Sequence, residues 1–76
     1  MTIITQSGST YTFKTYDNSV RVLYGSKEIL VTDIQDMFVG NRMTVKGYDL
    51  DPYTMQPRTD CGKYFFTTSP IVKILP

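Results

Sequence analysis

Polar and apolar residues alternate with period two along most of this chain, the spacing that places successive side chains on opposite faces of a strand. Thr2–Thr5 (TIIT) is a short apolar run, and Ser7-Gly8 marks a turn. In residues 9–16 (STYTFKTY), Tyr11 and Phe13 share one face, and Thr12, Lys14 and Tyr16 share the other. Asp17-Asn18-Ser19 reads as a turn, residues 20–24 (VRVLY) as a strand, Gly25-Ser26-Lys27 as a turn and residues 29–31 as a further strand. Residues 43–49 (MTVKGYD) alternate again, with Met43 and Val45 on one side and Thr44, Lys46 and Tyr48 on the other. Residues 50–62 (LDPYTMQPRTDCG) hold two prolines and a glycine, follow no period, and form the long loop.

Two stretches break the alternation. Thr32 followed by Gln35 matches a capping box, and Ile34, Met37 and Phe38 share a helical spacing that Gly40 could end. One or two helical turns are therefore predicted over residues 32–40, with an irregular strand as the alternative. Ser69-Pro70 has the form of a second helical start, lying between a strand at residues 63–68 (KYFFTT) and a closing strand at residues 71–75. The whole pattern predicts an all-β domain: a small SH3-like barrel or sandwich of five to six short strands with one short helical turn.

The run Tyr64-Phe65-Phe66 sets a problem for so small a fold, because its rings must divide between two faces. Phe65 is expected in the core with Phe13, Tyr11, Val22, Val45 and Ile71. Tyr64 and Phe66 then fall on an outer face that a partner would cover.

With 76 residues the chain is long enough for one domain. Such a domain draws roughly 3–5 kcal/mol of stability from its single core. One cysteine, Cys61, rules out a disulfide within the chain, and the absence of histidine leaves no structural zinc set. Self-association is the remaining common source of added stability. Eight basic and seven acidic residues give a net charge of +1, which is far from a polyanion binder. Nothing reads as a signal peptide or a membrane span, so a soluble protein of the cytoplasm is expected.

Little in the chain looks catalytic. Asp49 and Asp51 imitate a D-x-D phosphotransferase start, but that chemistry needs a parallel α/β sheet this length cannot supply, and a loop edge explains them. A calcium site from Asp49, Asp51 and Asp60 lacks the glycine-containing loop pattern. Asp33 and Asp36 suit the start of the predicted helical turn. Cys61 has no histidine to activate it, and Lys63 and Arg58 are thin substitutes. No catalytic residue, metal ligand or cofactor is assigned.

Binding chemistry is more plausible. Thr12-x-Lys14-x-Tyr16 and Thr44-x-Lys46-x-Tyr48 repeat one pattern, each opposite the apolar set of its own strand. With Tyr64 and Phe66 they would offer hydroxyls, ammonium charge and aromatic planes to a nucleotide, to single-stranded nucleic acid or to a protein. An ordinary solvent face of cross-strand Thr, Lys and Tyr pairs is the stronger reading of the same residues. Tyr53 and Arg58 in the long loop are the other candidates, against a loop that simply covers the barrel end.

The segments SGSTYTF (residues 7–13), GNRMTV (40–45) and FTTSPIVKI (66–74) resemble those of small bacteriophage-encoded β proteins. The resemblance implies a phage or mobile-element origin. It carries no activity and no catalytic residue. The expected function is a non-enzymatic accessory binding protein that blocks a host defence component or sequesters a nucleotide signal. A small nucleic-acid-binding barrel and a virion-associated homo-oligomeric subunit are the alternatives.

Overall fold

The computed structural model of the chain describes residues 1–16 and 18–76. The turn position Asp17 and the thiol of Cys61 lie outside the described residues. Six antiparallel strands close into a barrel in simple sequence order: β1 (Thr2–Thr5), β2 (Thr10–Tyr16), β3 (Ser19–Tyr24), β4 (Lys27–Gln35), β5 (Arg42–Asp49) and β6 (Tyr64–Leu75). The expected all-β barrel is the observed fold. Pairing of β1 with β6 closes the ring, so the sheet has no free edge.

The core follows the alternation in β1, β2, β3 and β5. Ile3, Tyr11, Phe13, Val22, Ile29, Met43, Val45 and Ile71 form one buried cluster. The expected core residues Tyr11, Phe13, Val22, Val45 and Ile71 all belong to it. Phe65 does not: it stands 67% exposed on the outer wall, while Phe66 packs against the core.

A bulge accounts for that reversal. Arg42 pairs with Pro70 and Thr44 with Thr67, so Met43 alone faces both Thr68 and Ser69. The extra residue on β6 shifts the inward set by one position. Ile71 and Thr68 both point inward, three residues apart, and Phe66 follows Thr68 at the normal spacing of two. The buried Thr68 hydroxyl accepts from the Met43 N–H at 3.1 Å, which satisfies the donor that the bulge would otherwise orphan. A second bulge at Val72 lies between the pairs Ile4–Lys73 and Thr5–Ile71. Ser69 and Pro70 therefore sit inside one bent, 12-residue strand, and the helical start expected there is absent.

The same device corrects the helix expected over residues 32–40. Val31 pairs with Gly47 and Asp33 with Lys46, leaving Thr32 as the extra residue of a bulge in β4. Its hydroxyl donates to the Lys46 carbonyl at 3.2 Å. Val31 and Ile34 thus both pack on the core from one strand at a three-residue spacing that imitates a helix. The helical element that does form is a 3-10 turn over Thr59–Cys61 in the long loop.

Candidate functional site

The inward-facing residues change in character along the barrel. Towards the end where β3 turns into β4 and β6 begins, aliphatic side chains give way to rings. Tyr11 stacks on Tyr24 at 4.6 Å between centroids and on Phe66 at 5.5 Å, and Tyr64 tilts against Phe66 at 6.1 Å. Strand register brings them together. Phe66 lies opposite the buried Val45, and Tyr64 lies opposite Gly47, which has no side chain to compete for the space. Tyr11 and Phe66 are largely covered, whereas Tyr24 and Tyr64 stand 42% and 37% exposed and form the rim of the mouth. Lys27 is paired with Tyr24 across the β3–β4 turn, and its Nζ lies 4.9 Å from the centre of the Tyr64 ring.

Lys27 also links this aromatic rim to a cavity of about 370 Å³, lined by Ser26, Lys27, Glu28, Asp49, Leu50, Pro52, Met55 and Arg58. The long loop supplies its outer wall. The loop is folded back by a Leu50–Pro57 bridge and by bonds from the Asp51 N–H to the Gln56 carbonyl and from the Arg58 N–H to the Asp49 carbonyl. Asp51 Oδ1 accepts the N–H groups of Tyr53 at 2.8 Å and Thr54 at 3.2 Å, an Asx turn that starts the excursion. Those two N–H groups hold the Asp51 carboxyl below the usual carboxylate range, and Arg58 adds to the effect. Met55 adopts a left-handed backbone, φ 59°, an uncommon conformation for a residue with a flexible side chain.

The charges of the cavity are not all neutralised by one another. Glu28 is engaged by Arg21 at 3.1 Å, and Arg58 meets Asp51 at 3.7 Å while staying about half exposed. Asp49 ends β5 opposite Ile29, and among the described residues its buried Oδ1 has no hydrogen-bond partner. A buried acceptor left unpaired costs about 1–3 kcal/mol. Burial also raises the pKa of the Tyr11 phenol, with Tyr24 and Tyr64 nearby adding to the rise.

The expected binding residues divide into three groups. Tyr64, Phe66 and Arg58 are at the mouth or its cavity. The first two point inward, so the outer face proposed for them is corrected to the barrel end. Tyr53 protrudes from the loop, 93% exposed. The two T-x-K-x-Y patterns do not make one surface, because β2 and β5 lie three strands apart in the ring of six. Lys14 aligns with Arg21, Arg21 with Leu30, and Leu30 with Tyr48 on the outer wall. Tyr16 is taken up by the Arg21 guanidinium, 4.7 Å from its ring centre. Lys46 stands beside the exposed Phe65. Sequence reasoning missed Tyr24 and Lys27 at the mouth beside Tyr64, and Asp49 in the adjoining cavity. Their common signal was position: each lies at the end of a strand that terminates at the same rim.

Among the described residues no three acidic or cysteine side chains gather in a way that could hold a metal ion, and no helix is long and apolar enough to cross a membrane. Comparison with protein-family models, with curated proteins and with solved structures returned no match.

Proposed function

We propose that this protein is a non-enzymatic accessory binding module of the phage type, and that it captures its partner at the aromatic mouth. The observation that carries the reading is the graded ring stack, with Tyr24 and Tyr64 left half-exposed beside Lys27 and an adjoining cavity. Rings that served only the core would be covered. Half-exposed rings, a cation over the face of one of them and an adjoining recess suit a ligand that is flat, polar at its rim and anionic. Interference with a host defence component, by blocking a protein or sequestering a nucleotide signal, is the form of accessory function this mouth would serve.

Native mass spectrometry of the protein purified from its natural host tests the proposal. The wild type is expected to retain a bound mass that the doubly substituted Tyr24→Ala/Tyr64→Ala protein loses. Retention of the same mass by both proteins, or by neither, would remove the mouth from consideration. A second reading, the homo-oligomeric subunit, draws support from Phe38 and Val39, which stand 66% and 62% exposed in the β4–β5 connection. A closed barrel offers no strand edge, so such an assembly would rest on side chains alone. The same spectra give the subunit number, and a single subunit at high concentration ends that reading.

A further inference from the structure

We propose that the outer wall of β5 and β6 binds single-stranded nucleic acid, with Tyr48 and Phe65 as stacking rings and Lys46 and Lys63 as phosphate contacts. This wall is separate from the mouth, so the proposal goes beyond the function given above. Strand register builds the site. Lys46 pairs with Phe65 and Gly47 with Tyr64, so the next step brings Tyr48 level with Lys63, which is exposed just before β6 begins. Tyr64 points into the mouth, and its neighbours on either side therefore face outwards. The four outward side chains form a checkerboard, with the rings of Tyr48 and Phe65 on one diagonal and the two ammonium groups on the other. Diagonal neighbours on a sheet lie roughly 7–8 Å apart. Consecutive nucleotides with unstacked bases span such a step.

A lone exposed ring needs no explanation. Here the setting supplies one. The bulge opposite Met43 turns Phe65 outwards, 67% exposed, directly beside a lysine. Of the carboxylates on the adjoining strand β4, Glu28 is held by Arg21 at 3.1 Å. Asp33 lies opposite Lys46 and accepts the Gln35 amide at 3.2 Å. The two lysines thus leave the wall with a small positive excess, and that charge selects the occupant. Lysine is depleted at protein interfaces, whereas it is a standard contact for phosphate oxygens. Ring faces accept only bases that are free to leave their own stack, which a single strand offers and a duplex does not. The net charge of +1 sets the scale: two lysines make a modest electrostatic contribution, and the rings carry the rest.

The test is fluorescence anisotropy of the full chain with short labelled oligo(dT) and oligo(rU) over a series of salt concentrations. Both are expected to bind, and log K should fall against log salt with a slope of about −1.4, since each of two lysines contributes about 0.7 on a single strand. A preference between the two names the sugar that is read, and equal affinity means that bases and phosphates suffice; both results support the site. Phe65→Ala should weaken binding about tenfold. Phe38→Ala removes an equally exposed ring outside the wall, 66% against 67%, and should leave the affinity unchanged. Both side chains are exposed, so folding is not at stake in either variant. Lys63→Ala should halve the salt slope. Duplex DNA of the same length should bind about tenfold more weakly, and polyglutamate, a polyanion without bases, should not compete. Absence of binding at low salt, wild-type affinity in Phe65→Ala, or equal affinity for the duplex would each overturn the assignment. A host protein whose capture depends on Phe65, with no oligonucleotide bound, would give the wall to a protein instead. Tyr24 and Tyr64 take no part here, so this titration and the bound mass that tests the mouth fail separately.

Discussion

The waist of the barrel and its mouth are built from different materials. At the waist Ile3, Val22, Met43, Val45 and Ile71 are each 1% exposed or less and aliphatic, and the ring of Phe13, opposite Val22, packs among them. At the mouth Tyr11, Phe66, Tyr64 and Tyr24 are aromatic and pass from buried to 42% exposed over one continuous stack. Flexible and β-branched side chains fill a narrow closed ring to high density. Planar rings stacked at its end leave a face and a hydroxyl towards solvent. The contrast separates two tasks. The waist carries most of the hydrophobic stabilisation, and the mouth contributes less to it while presenting recognisable chemistry.

The largest expected effect sits where the two regions meet. Gly47 lies on β5 opposite both Val31 and Tyr64, beside the bulge at Thr32. A Cβ at this position would run into the backbone carbonyl of Leu30, and backbone cannot swing aside as a side-chain tip can. Gly47→Ala should cost about 3 kcal/mol or more, since the barrel must open locally to admit one methyl group. For so small a domain that removes most of its stability. Urea denaturation checks it, and a midpoint within error of the wild type would show that β4 and β5 are not as close as described.

Much of the fold is legible in the residue pattern, and the places where it is not share one cause. Tyr11 and Phe13, and Met43 and Val45, lie on unbroken strands and keep the inward parity that their alternation predicts. Phe65, Phe66 and Ile34 lie beyond bulges, where one extra residue reverses the parity. A three-residue step from Val31 to Ile34 imitates a helix, and the step from Thr68 to Ile71 interrupts the alternation that would have placed Phe65 inside. Bulges are set by hydrogen bonds between distant strands, such as Met43 to Thr68 and Thr32 to Lys46, so no local window contains them. The candidate site was legible only in part for a related reason. Tyr64 and Arg58 were visible as ligand chemistry, but Tyr24 and Asp49 become site residues only when the barrel closes and brings the ends of β3, β5 and β6 to one rim.

Paired truncations sharpen the contrast of waist and mouth. Ile71→Ala empties a site that β1, β5 and β6 surround, and should cost about 3–4 kcal/mol. Tyr64→Ala removes a larger side chain from a half-open position and should cost only about 1 kcal/mol. Thermal melts of the two variants under one condition give the comparison directly. If Tyr64→Ala proves the more damaging, the mouth is part of the structural core and its exposed rings need no ligand to explain them.

The smallest expected effect is the substitution Tyr11→Phe, and it tests how the mouth joins the waist. Tyr11 is covered where the ring stack begins, and burial raises its phenol above the ordinary 10.0, with Tyr24 and Tyr64 adding to the rise. A raised folded-state pKa means that the folded protein keeps a proton which the unfolded chain gives up. Stability linked to this group is therefore complete below about pH 10 and declines as pH rises from there through the folded-state value. Removing the hydroxyl should change stability by less than about 1 kcal/mol at pH 7, since the ring contacts remain. It should also flatten the decline above pH 10. Urea midpoints for both proteins across the alkaline range read the difference between the two curves. Parallel curves would mean that the Tyr11 hydroxyl already reaches water in the folded state, and the boundary between closed waist and open mouth would then lie one ring deeper than the stack indicates.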